Sequence, residues 1–331
     1  RWWTPVVLLV LVATFLSSWT LGQAVAAAYA PRPDLGERTP ADLGVAFSDV
    51  TFPSGDGVEL AGWYVPSRNG AAVALMHGAG STRSGVLEHA SVLAEHGYGV
   101  LLFDARGHGE SEGRSMDFGW YGDEDVGGAV AYLAGRPDVD PARIGAVGFS
   151  MGGEEALGAM PAVPRLRAVV GEGVTNRTYA DRAWLPTNVN GWVQRGMDRL
   201  AFGLTDLLTD ADPPASLRSA AREAAPRPVL LIAGRGEEAA AAAIGDAAPG
   251  SVEVWEAGTG HTDAFAERRA AFGDRAQDVH SGLDRFRGDH RFGVRAQEVN
   301  GPRATRQRAV VRGEPQRQLP GGLAVAEDAL A

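Results

Sequence analysis

Ser150 lies at the centre of the pentapeptide Gly148-Phe149-Ser150-Met151-Gly152, between an apolar run and residues typical of a helix. Glycines on both sides permit a sharp turn from strand to helix, at which a serine hydroxyl is exposed for reaction. A serine held in this way attacks acyl carbonyl groups when a neighbouring base removes its proton. The alternative is a turn of small residues that packs a helix against a sheet, with no chemical role for Ser150.

A base and an acid that could activate Ser150 come later in the chain. His261 stands in a Gly-Thr-Gly-His loop after the last predicted strand, and of the seven histidines it is the first to follow both the serine and the candidate acid. Glu237 is the preferred acid because of its spacing after the apolar run 229–233, and Glu238 is its immediate rival. Both glutamates could instead be an acidic start to a helix. The order serine, acid, histidine suits a nucleophile, an orienting carboxylate and a base on successive loops.

A second glycine-containing loop could stabilise the negative charge that develops on an attacked carbonyl oxygen. The segment LMHGAGST, residues 75–82, ends a predicted strand with small residues. The backbone N–H of Ala79 would pair with that of Met151 to form an oxyanion hole, and loss of one such donor costs roughly 3–4 kcal/mol. His77 is expected to be a structural hydrogen-bonding residue of this loop rather than the base.

The elements that must position these loops alternate between strands and helices. Short apolar runs separated by helical patterns predict an α/β fold with a mostly parallel central sheet and helices on both faces. Two strands around the Ser-Gly-Asp-Gly turn at 54–57 add a hairpin at one edge. We expect this domain to span residues 45–266. The alternation of strands and helices is interrupted at residues 174–226, where no strand-like run occurs. This insertion predicts a helical cap, and the alternative is a long helical connection with no gating role.

The first 30 residues are a membrane-segment candidate. No charged residue occurs between Thr4 and Ala30, and about 20 apolar residues suffice to span a bilayer. The length favours a transmembrane anchor over a cleaved signal peptide, whose cleavage motif would include Ala26 and Ala28. We therefore expect a single-pass protein of the cell membrane. An extracytoplasmic catalytic domain is the preferred orientation, and the arginines that flank the segment are too few to decide it by the positive-inside rule. Residues 31–44, rich in proline and charge, are interpreted as an exposed linker.

Composition excludes several other classes of function. The 331-residue chain has a net charge of −10 with no basic stripe, so nucleic acid is not an expected partner. It contains no cysteine, which excludes thiolate catalysis and cysteine-ligated zinc. No pair of histidines has metal-ligand spacing beside carboxylates, so neither a metal nor a cofactor is expected.

Six motifs in order resemble the α/β-hydrolase fold superfamily. They are VTFPSGDGVELAGWYVP (50–66), LMHGAGST (75–82), FDARGHGESEG (103–113), DVDPARIGAVGFSMGGEEAL (138–157), RPVLLIAG (227–234) and GTGHTDAF (258–265). More narrowly, the chain resembles bacterial membrane-anchored hydrolases of the serine aminopeptidase-like and dienelactone hydrolase-like group. This resemblance implies hydrolysis of an ester, thioester or amide through an acyl-enzyme at Ser150, with a small-molecule or lipid-like acyl substrate. It also implies that Asp104 and His108 are architectural.

The chain departs from the family pattern at two places. Its candidate acid is glutamate where such enzymes more often have aspartate. Residues 267–331 have few aliphatic side chains where an amphipathic helix normally closes the domain, so a disordered or atypical tail is expected there, and a displaced reading frame is one explanation. The same motifs would also suit an acyltransferase, a cofactor-free haloperoxidase-like enzyme or an inactive membrane scaffold.

Overall fold

An eight-stranded sheet forms the centre of the computed structural model, which describes residues 3–267. The strands lie in the order β1-β2-β4-β3-β5-β6-β7-β8, and β3 to β8 are parallel while β1 and β2 run antiparallel at one edge. The predicted mostly parallel α/β fold with an edge hairpin is therefore confirmed. The strands are β1 (Ser48–Pro53), β2 (Glu59–Val65), β3 (Ala72–Met76), β4 (Gly99–Phe103), β5 (Ile144–Phe149), β6 (Leu166–Glu172), β7 (Val229–Ala233) and β8 (Val252–Glu256).

Helices cover both faces of this sheet because its strands are apolar on both sides. The α-helices are α1 (Trp3–Ala28), α2 (Leu87–Glu95), α3 (Gly122–Ala134), α4 (Met151–Ala159), α5 (Val189–Leu208), α6 (Leu217–Ala224) and α7 (Glu238–Gly245). Short 3-10 helices lie at Pro40–Leu43, Arg83–Val86 and Tyr179–Trp184. Leu101 and Phe103 of β4 belong to the core layer that also contains residues of α3, α4, α6 and α7, whereas Val100 and Leu102 belong to the layer with α2 on the opposite face. The period of two in the strands thus divides the core into two layers.

The long segment between β6 and β7 contains the helices that its sequence predicts. Of these, α6 belongs to the sheet layer, since Leu217, Ala221 and Ala224 are buried in the core beside α4. Only the part that includes α5 extends away from the sheet. Phe202 of α5 is buried and stacks on Phe118 with ring centroids 4.5 Å apart. The role of this segment as a cap stays a prediction.

The end of α1 is attached to the rest of the described chain by specific hydrogen bonds. Residues 3–15 of the helix are exposed, and its buried residues, Thr20, Ala24, Ala27 and Ala28, all lie in its C-terminal third. The Asp117 N–H donates to the Ala27 carbonyl at 3.0 Å, and the Ser115 hydroxyl donates to the Ala30 carbonyl at 2.7 Å. The helix is long and apolar enough to cross a membrane, which a signal sequence would also satisfy.

Residues 31–44, expected to be an exposed linker, lie against the domain. The Arg32 guanidinium donates to the backbone carbonyls of Gly109, Ser111 and Gly113, and the Gly109 N–H donates in return to the Pro33 carbonyl at 3.0 Å. Arginine is suited to this contact because its fork of N–H donors can satisfy several acceptors at once. The predicted tail lies mostly outside the described residues. Its first residue, Glu267, ends a short helical stretch in which Ala264 and Phe265 are buried.

Two adjacent glycines of α3 give a test of this packing. A methyl group on Gly128 would lie 2.3 Å from the Pro53 carbonyl oxygen, whereas a methyl group on Gly127 would meet nothing closer than 4.0 Å. We expect Gly128→Ala to destabilise the fold by about 1–3 kcal/mol, because the added methyl group can be accommodated only by displacing the neighbouring backbone. Gly127→Ala should stabilise it by about 0.5–1 kcal/mol through helix propensity. Urea unfolding of the detergent-solubilised full chain measures both changes, and equal effects would contradict the packing described.

Candidate active site

Ser150 occupies a strained backbone conformation between β5 and α4. Its φ is 50° and its ψ is −120°, in a region that non-glycine residues rarely adopt. The Ser150 N–H donates to the carbonyl of Glu172 at the end of β6, at 2.7 Å. Strain of this kind costs of order 1–3 kcal/mol and persists where the surroundings enforce it. The turn therefore presents the Ser150 hydroxyl beyond the carboxyl ends of the parallel strands.

The glycines around Ser150 are required by close backbone contacts. A β-carbon at Gly148 would lie 2.4 Å from the carbonyl carbon of Gly152. One at Gly152 would lie 2.5 Å from the His77 carbonyl oxygen on the neighbouring loop. Both distances are far shorter than any carbon contact in a folded protein, so the sequence motif and the geometry of the turn have the same steric cause.

His261 and Glu237 form a hydrogen-bonded chain with Ser150. The Ser150 hydroxyl lies 3.0 Å from Nε2 of His261, and Nδ1 of His261 contacts Oε1 of Glu237. The other oxygen of Glu237 accepts a hydrogen bond from the Gly234 N–H at 2.8 Å. Ser150 follows β5, Glu237 follows β7 and His261 follows β8, so the three groups come from different strand ends at one edge of the sheet.

The two partners shift each other's pKa in opposite directions. The hydrogen bond that Nδ1 of His261 donates to Glu237 raises the pKa of His261 above its ordinary value, although partial burial opposes the shift. Burial by itself would raise the pKa of Glu237, but the hydrogen bonds from His261 and Gly234 outweigh it and leave that pKa lowered. Glu237 is thus held as a carboxylate that can orient the imidazole and stabilise its cation.

Glu238, the rival acid, contacts a different group. Its carboxylate accepts a hydrogen bond from the Gly236 N–H at 2.8 Å on the exposed side of the loop. Glu238 is also the first residue of α7, and Glu237 is the residue that precedes this helix. Both glutamates therefore do lie at the start of a helix, as the alternative interpretation predicts for their backbone. The side chain of Glu237 nevertheless contacts His261.

The two backbone amides expected to form an oxyanion hole lie beside Ser150. Met151 follows the serine directly, and a β-carbon on Gly78, next to Ala79, would lie 3.3 Å from the Ser150 β-carbon. Among residues 3–267, neither the Ala79 N–H nor the Met151 N–H donates a hydrogen bond. Such amides are available to a substrate oxygen placed near the serine.

His77 orders the loop that carries Ala79. It is buried, its Nε2 accepts a hydrogen bond from the Ala105 N–H at 3.0 Å, and its Nδ1 lies 2.8 Å from the Gly78 carbonyl. These partners assign the proton to Nδ1. Burial, reinforced by the nearby His108, lowers the pKa of His77 to about 4, so the ring is neutral at pH 7. This arrangement matches the structural role expected for His77.

The Asp-x-Arg-Gly-His-Gly-x-Ser segment at 104–111 is internally bonded. Asp104 is fully buried and accepts hydrogen bonds from the Arg83 backbone N–H, the Arg83 guanidinium and the Glu110 N–H. Nδ1 of His108 lies 3.0 Å from the Arg106 carbonyl. These contacts fold a loop next to the site, and neither Asp104 nor His108 contacts Ser150 or His261.

Glu172 is a site residue that sequence reasoning missed. Its Oε1 accepts a hydrogen bond from the Ala264 N–H at 2.7 Å, three residues after His261, while its backbone carbonyl holds the Ser150 N–H. Its Oε2 is buried without a hydrogen-bond partner among the described residues. Burial raises the pKa of Glu172 to about 7. A glutamate at the end of the apolar run LRAVVGE was the available signal.

Two more buried carboxyl groups lie in the first turns of α4. Oε1 of Glu154 accepts hydrogen bonds from the N–H groups of Thr175 and Asn176 at 3.0 and 2.9 Å. Burial raises its pKa to about 7 and raises that of Glu155 well above the ordinary value. Glu154 therefore ties the start of the segment that leads to α5 to the helix that follows Ser150.

The fold described above is the α/β-hydrolase fold. Residues 67–210 match the sequence model of a family described as serine aminopeptidase, S33. That span contains Ser150 and both amides of the expected oxyanion hole, and it ends before Glu237 and His261. The matched span is less than half of the chain, and over it the chain is similar to this family of α/β hydrolases.

Proteins of similar sequence or structure include one named as a thiohydrolase and one named as an esterase. The uncharacterized protein YfhR of Salmonella typhimurium is 33% identical over 168 residues, which are 48% of this chain and 52% of the relative. Thiohydrolase aneE of Aspergillus aculeatus is 37% identical over 128 residues, which are 38% and 40% of the two chains. The chain thus spans about half the length of the curated relatives it matches, or less. The esterase PF2001 of Pyrococcus furiosus superposes with a TM-score of 0.61 at 24% identity, over 76% of this chain and 97% of that structure.

The buried carboxyl group of Glu172 makes a specific contribution to the pH dependence of stability. Its pKa of about 7 in the fold exceeds the ordinary value of 4.5, so the folded protein binds more protons than the unfolded chain between these values. Stability supplied by this group is therefore greatest below pH 4.5 and is lost as the pH rises through 7.

We expect Glu172→Gln to remove this loss of stability at rising pH. Relative to the natural chain, the variant should gain on the order of 1–3 kcal/mol between pH 5 and pH 8, because glutamine does not ionise. Any fixed cost of the amide cancels in that difference. Unfolding free energies measured at both pH values test the prediction, and a difference that does not change with pH would contradict it.

Proposed function

We propose that the protein is a serine hydrolase that cleaves an ester, thioester or amide bond through an acyl-enzyme at Ser150. The observation that carries the proposal is the hydrogen-bonded chain from the Ser150 hydroxyl to His261 and on to Glu237. Burial of Glu237 and its second hydrogen bond from Gly234 fit an orienting carboxylate. The geometry therefore favours Glu237 over Glu238 as the acid of a Ser-Glu-His triad.

The reaction starts when Ser150 Oγ attacks the acyl carbonyl carbon and Nε2 of His261 takes the hydroxyl proton. The negative charge that forms on the carbonyl oxygen is stabilised by the N–H groups of Ala79 and Met151. When this tetrahedral intermediate collapses, the bond to the leaving group breaks and His261 gives its proton to that group. A water molecule then attacks the acyl-enzyme, gives one proton to His261 and releases the carboxylic acid, after which His261 returns the proton to Ser150.

The raised pKa of His261 determines that activity is lost on the acidic side of the pH profile. Nε2 accepts the serine proton only when the imidazole is neutral, and the hydrogen bond donated to Glu237 raises the pKa of this imidazole. Activity should therefore fall as the pH drops through the raised pKa of His261 and should be retained on the alkaline side.

The names of two similar proteins support oxygen and sulfur esters as the acyl substrates of this chain. The fungal relative is named a thiohydrolase and the archaeal structural neighbour an esterase. The apolar α1 helix beside α5 favours a substrate with a lipid-like acyl group. The segment with α5, which extends from the sheet, would act as the cap that selects it.

We propose further that α1 is a retained single-pass membrane anchor and that the catalytic domain is extracytoplasmic. The exposed residues 3–15 offer an uncharged surface to lipid. The C-terminal third of the helix packs on α5 and on the loop around Asp117. A signal peptide that is removed after translocation has no need of such packing, which favours retention.

A fluorophosphonate probe tests the proposed nucleophile. We expect the probe to label the natural chain and to give no signal with Ser150→Ala, because the probe forms its bond with an activated serine oxygen. His261→Ala should lower the labelling rate by about 10²–10⁴-fold through loss of the base. Labelling of Ser150→Ala at the natural rate would disprove the assignment.

The adjacent glutamates provide a matched pair for the acid. Glu237→Gln should lower kcat on an ester substrate by about 10²–10⁴-fold, because an amide neither fixes the imidazole tautomer nor stabilises its cation. Glu238→Gln should stay within about twofold, as expected for an exposed surface group. The reverse result would show that Glu238 is the acid.

Retention of α1 is tested on the protein in its membrane. We expect the chain to stay with the membrane fraction after alkaline carbonate extraction, and peptides that contain Trp19 to be present in the mature polypeptide. Protease added to intact cells should degrade the catalytic domain while sparing a cytoplasmic marker. A mature chain that begins after Ala26 or Ala28 would show that α1 is a cleaved signal.

A further inference from the structure

One side of α5 carries a row of exposed apolar side chains. Val189, Trp192, Val193, Leu200 and Leu207 are spaced three, four or seven residues apart, except for the adjacent pair Trp192 and Val193. Trp192 is 64% exposed and Val189 is 74% exposed. The opposite side contains Phe202 and Thr205, which are buried against the domain. Large apolar groups gathered on one exposed helix face indicate an interaction surface.

The α5 helix runs parallel to α1. Near the ends of both helices, the Arg114 guanidinium stacks over Tyr29 and donates to the carbonyl of Leu208 at 3.3 Å. Further back along both chains, a cavity of about 230 Å³ is lined by Trp19 and Gln23 of α1 and by Met197 of α5. Earlier residues of α5 therefore lie beside earlier residues of α1. The start of α5 consequently points toward the exposed apolar part of α1.

Charge varies along α5 in the same direction. No charged residue occurs from position 183 to position 194, and charged side chains begin with Arg195 and continue with Asp198 and Arg199. Within the cavity, Asp198 and Arg182 form an ion pair of 2.7 Å. The uncharged end of α5 thus lies on the side of the uncharged span of α1, and the charged part lies toward the domain.

We propose that residues 189–193, here named the α5 tip, insert into the interface of the membrane that α1 spans. The proposal rests on α1 as the anchor. A bilayer is favoured because the apolar surface of the α5 tip continues that of α1 and ends where charges begin. Tryptophan is enriched at the level of lipid headgroups, and amphipathic helices bury one apolar face there. The membrane would then cover one end of the segment that is predicted to act as a cap.

The absence of cysteine from the chain makes this surface accessible to site-specific labelling. Single cysteines at Val189→Cys and Trp192→Cys would each carry a nitrobenzoxadiazole fluorophore, and Val189→Cys leaves Trp192 in place. Leu9→Cys reports on the exposed span of α1, and Ala131→Cys on exposed α3 is the aqueous control. The full chain is reconstituted into vesicles of phosphatidylcholine and phosphatidylglycerol.

We expect nitroxide-labelled lipid to quench the probes at 9, 189 and 192 several-fold more than the probe at 131, and aqueous iodide to show the reverse order. Lipid quenching at 9 with iodide quenching at 189 and 192 would overturn the α5 proposal while the anchor stands. Shielding of 189 and 192 from both quenchers would also overturn it, since protein would then cover the surface. Iodide quenching at 9 would remove the anchor, and the proposal with it. Fluorophosphonate labelling of Ser150 in each variant tests the proposed hydrolase separately.

Discussion

The backbone turn at Ser150 is the constraint on which the arrangement of the site depends. A positive φ at a residue with a β-carbon is unfavourable, and it is held here by the Glu172 carbonyl and by contacts that leave no room for a side chain at Gly148 or Gly152. The same contacts bring the loop of His77 against α4. The sheet, α4 and the loop of His77 are consequently fixed relative to the hydroxyl by one small region of backbone.

Burial gives different ionisation to carboxyl groups that lie close together. Burial raises the pKa of Glu154 and of Glu172 to about 7, so a large share of each is neutral near pH 7, and it raises the pKa of Glu155 well above its ordinary value. Glu237 is also largely buried, but two N–H donors hold it ionised. The site can therefore keep a single carboxylate opposite His261 without the repulsion that several would produce.

The sequence predicts most of this fold because its strands are short apolar runs and its helices have a clear period. It also predicts Ser150 and His261 as neighbours, because glycine spacing and chain order restrict where such residues can lie. It leaves Glu237 and Glu238 as alternatives, since adjacent residues of one type differ only in the direction of their side chains. Glu172 and the contacts of residues 31–44 depend on pairings across the fold, such as Arg32 with three carbonyls near Ser111, which leave no periodic pattern.

The hydrogen bonds between the end of α1 and the loop at 115–117 have a consequence for how the protein would find its substrate. A domain on a long flexible linker tumbles freely and samples the surrounding solution. Here the helix, the Arg32 contacts and the domain form one continuous packed body. With α1 in a bilayer, the height and tilt of the domain above the lipid would be set. The protein would then encounter substrate by lateral diffusion in two dimensions. Molecules that share the membrane would be met far more often than those dissolved above it.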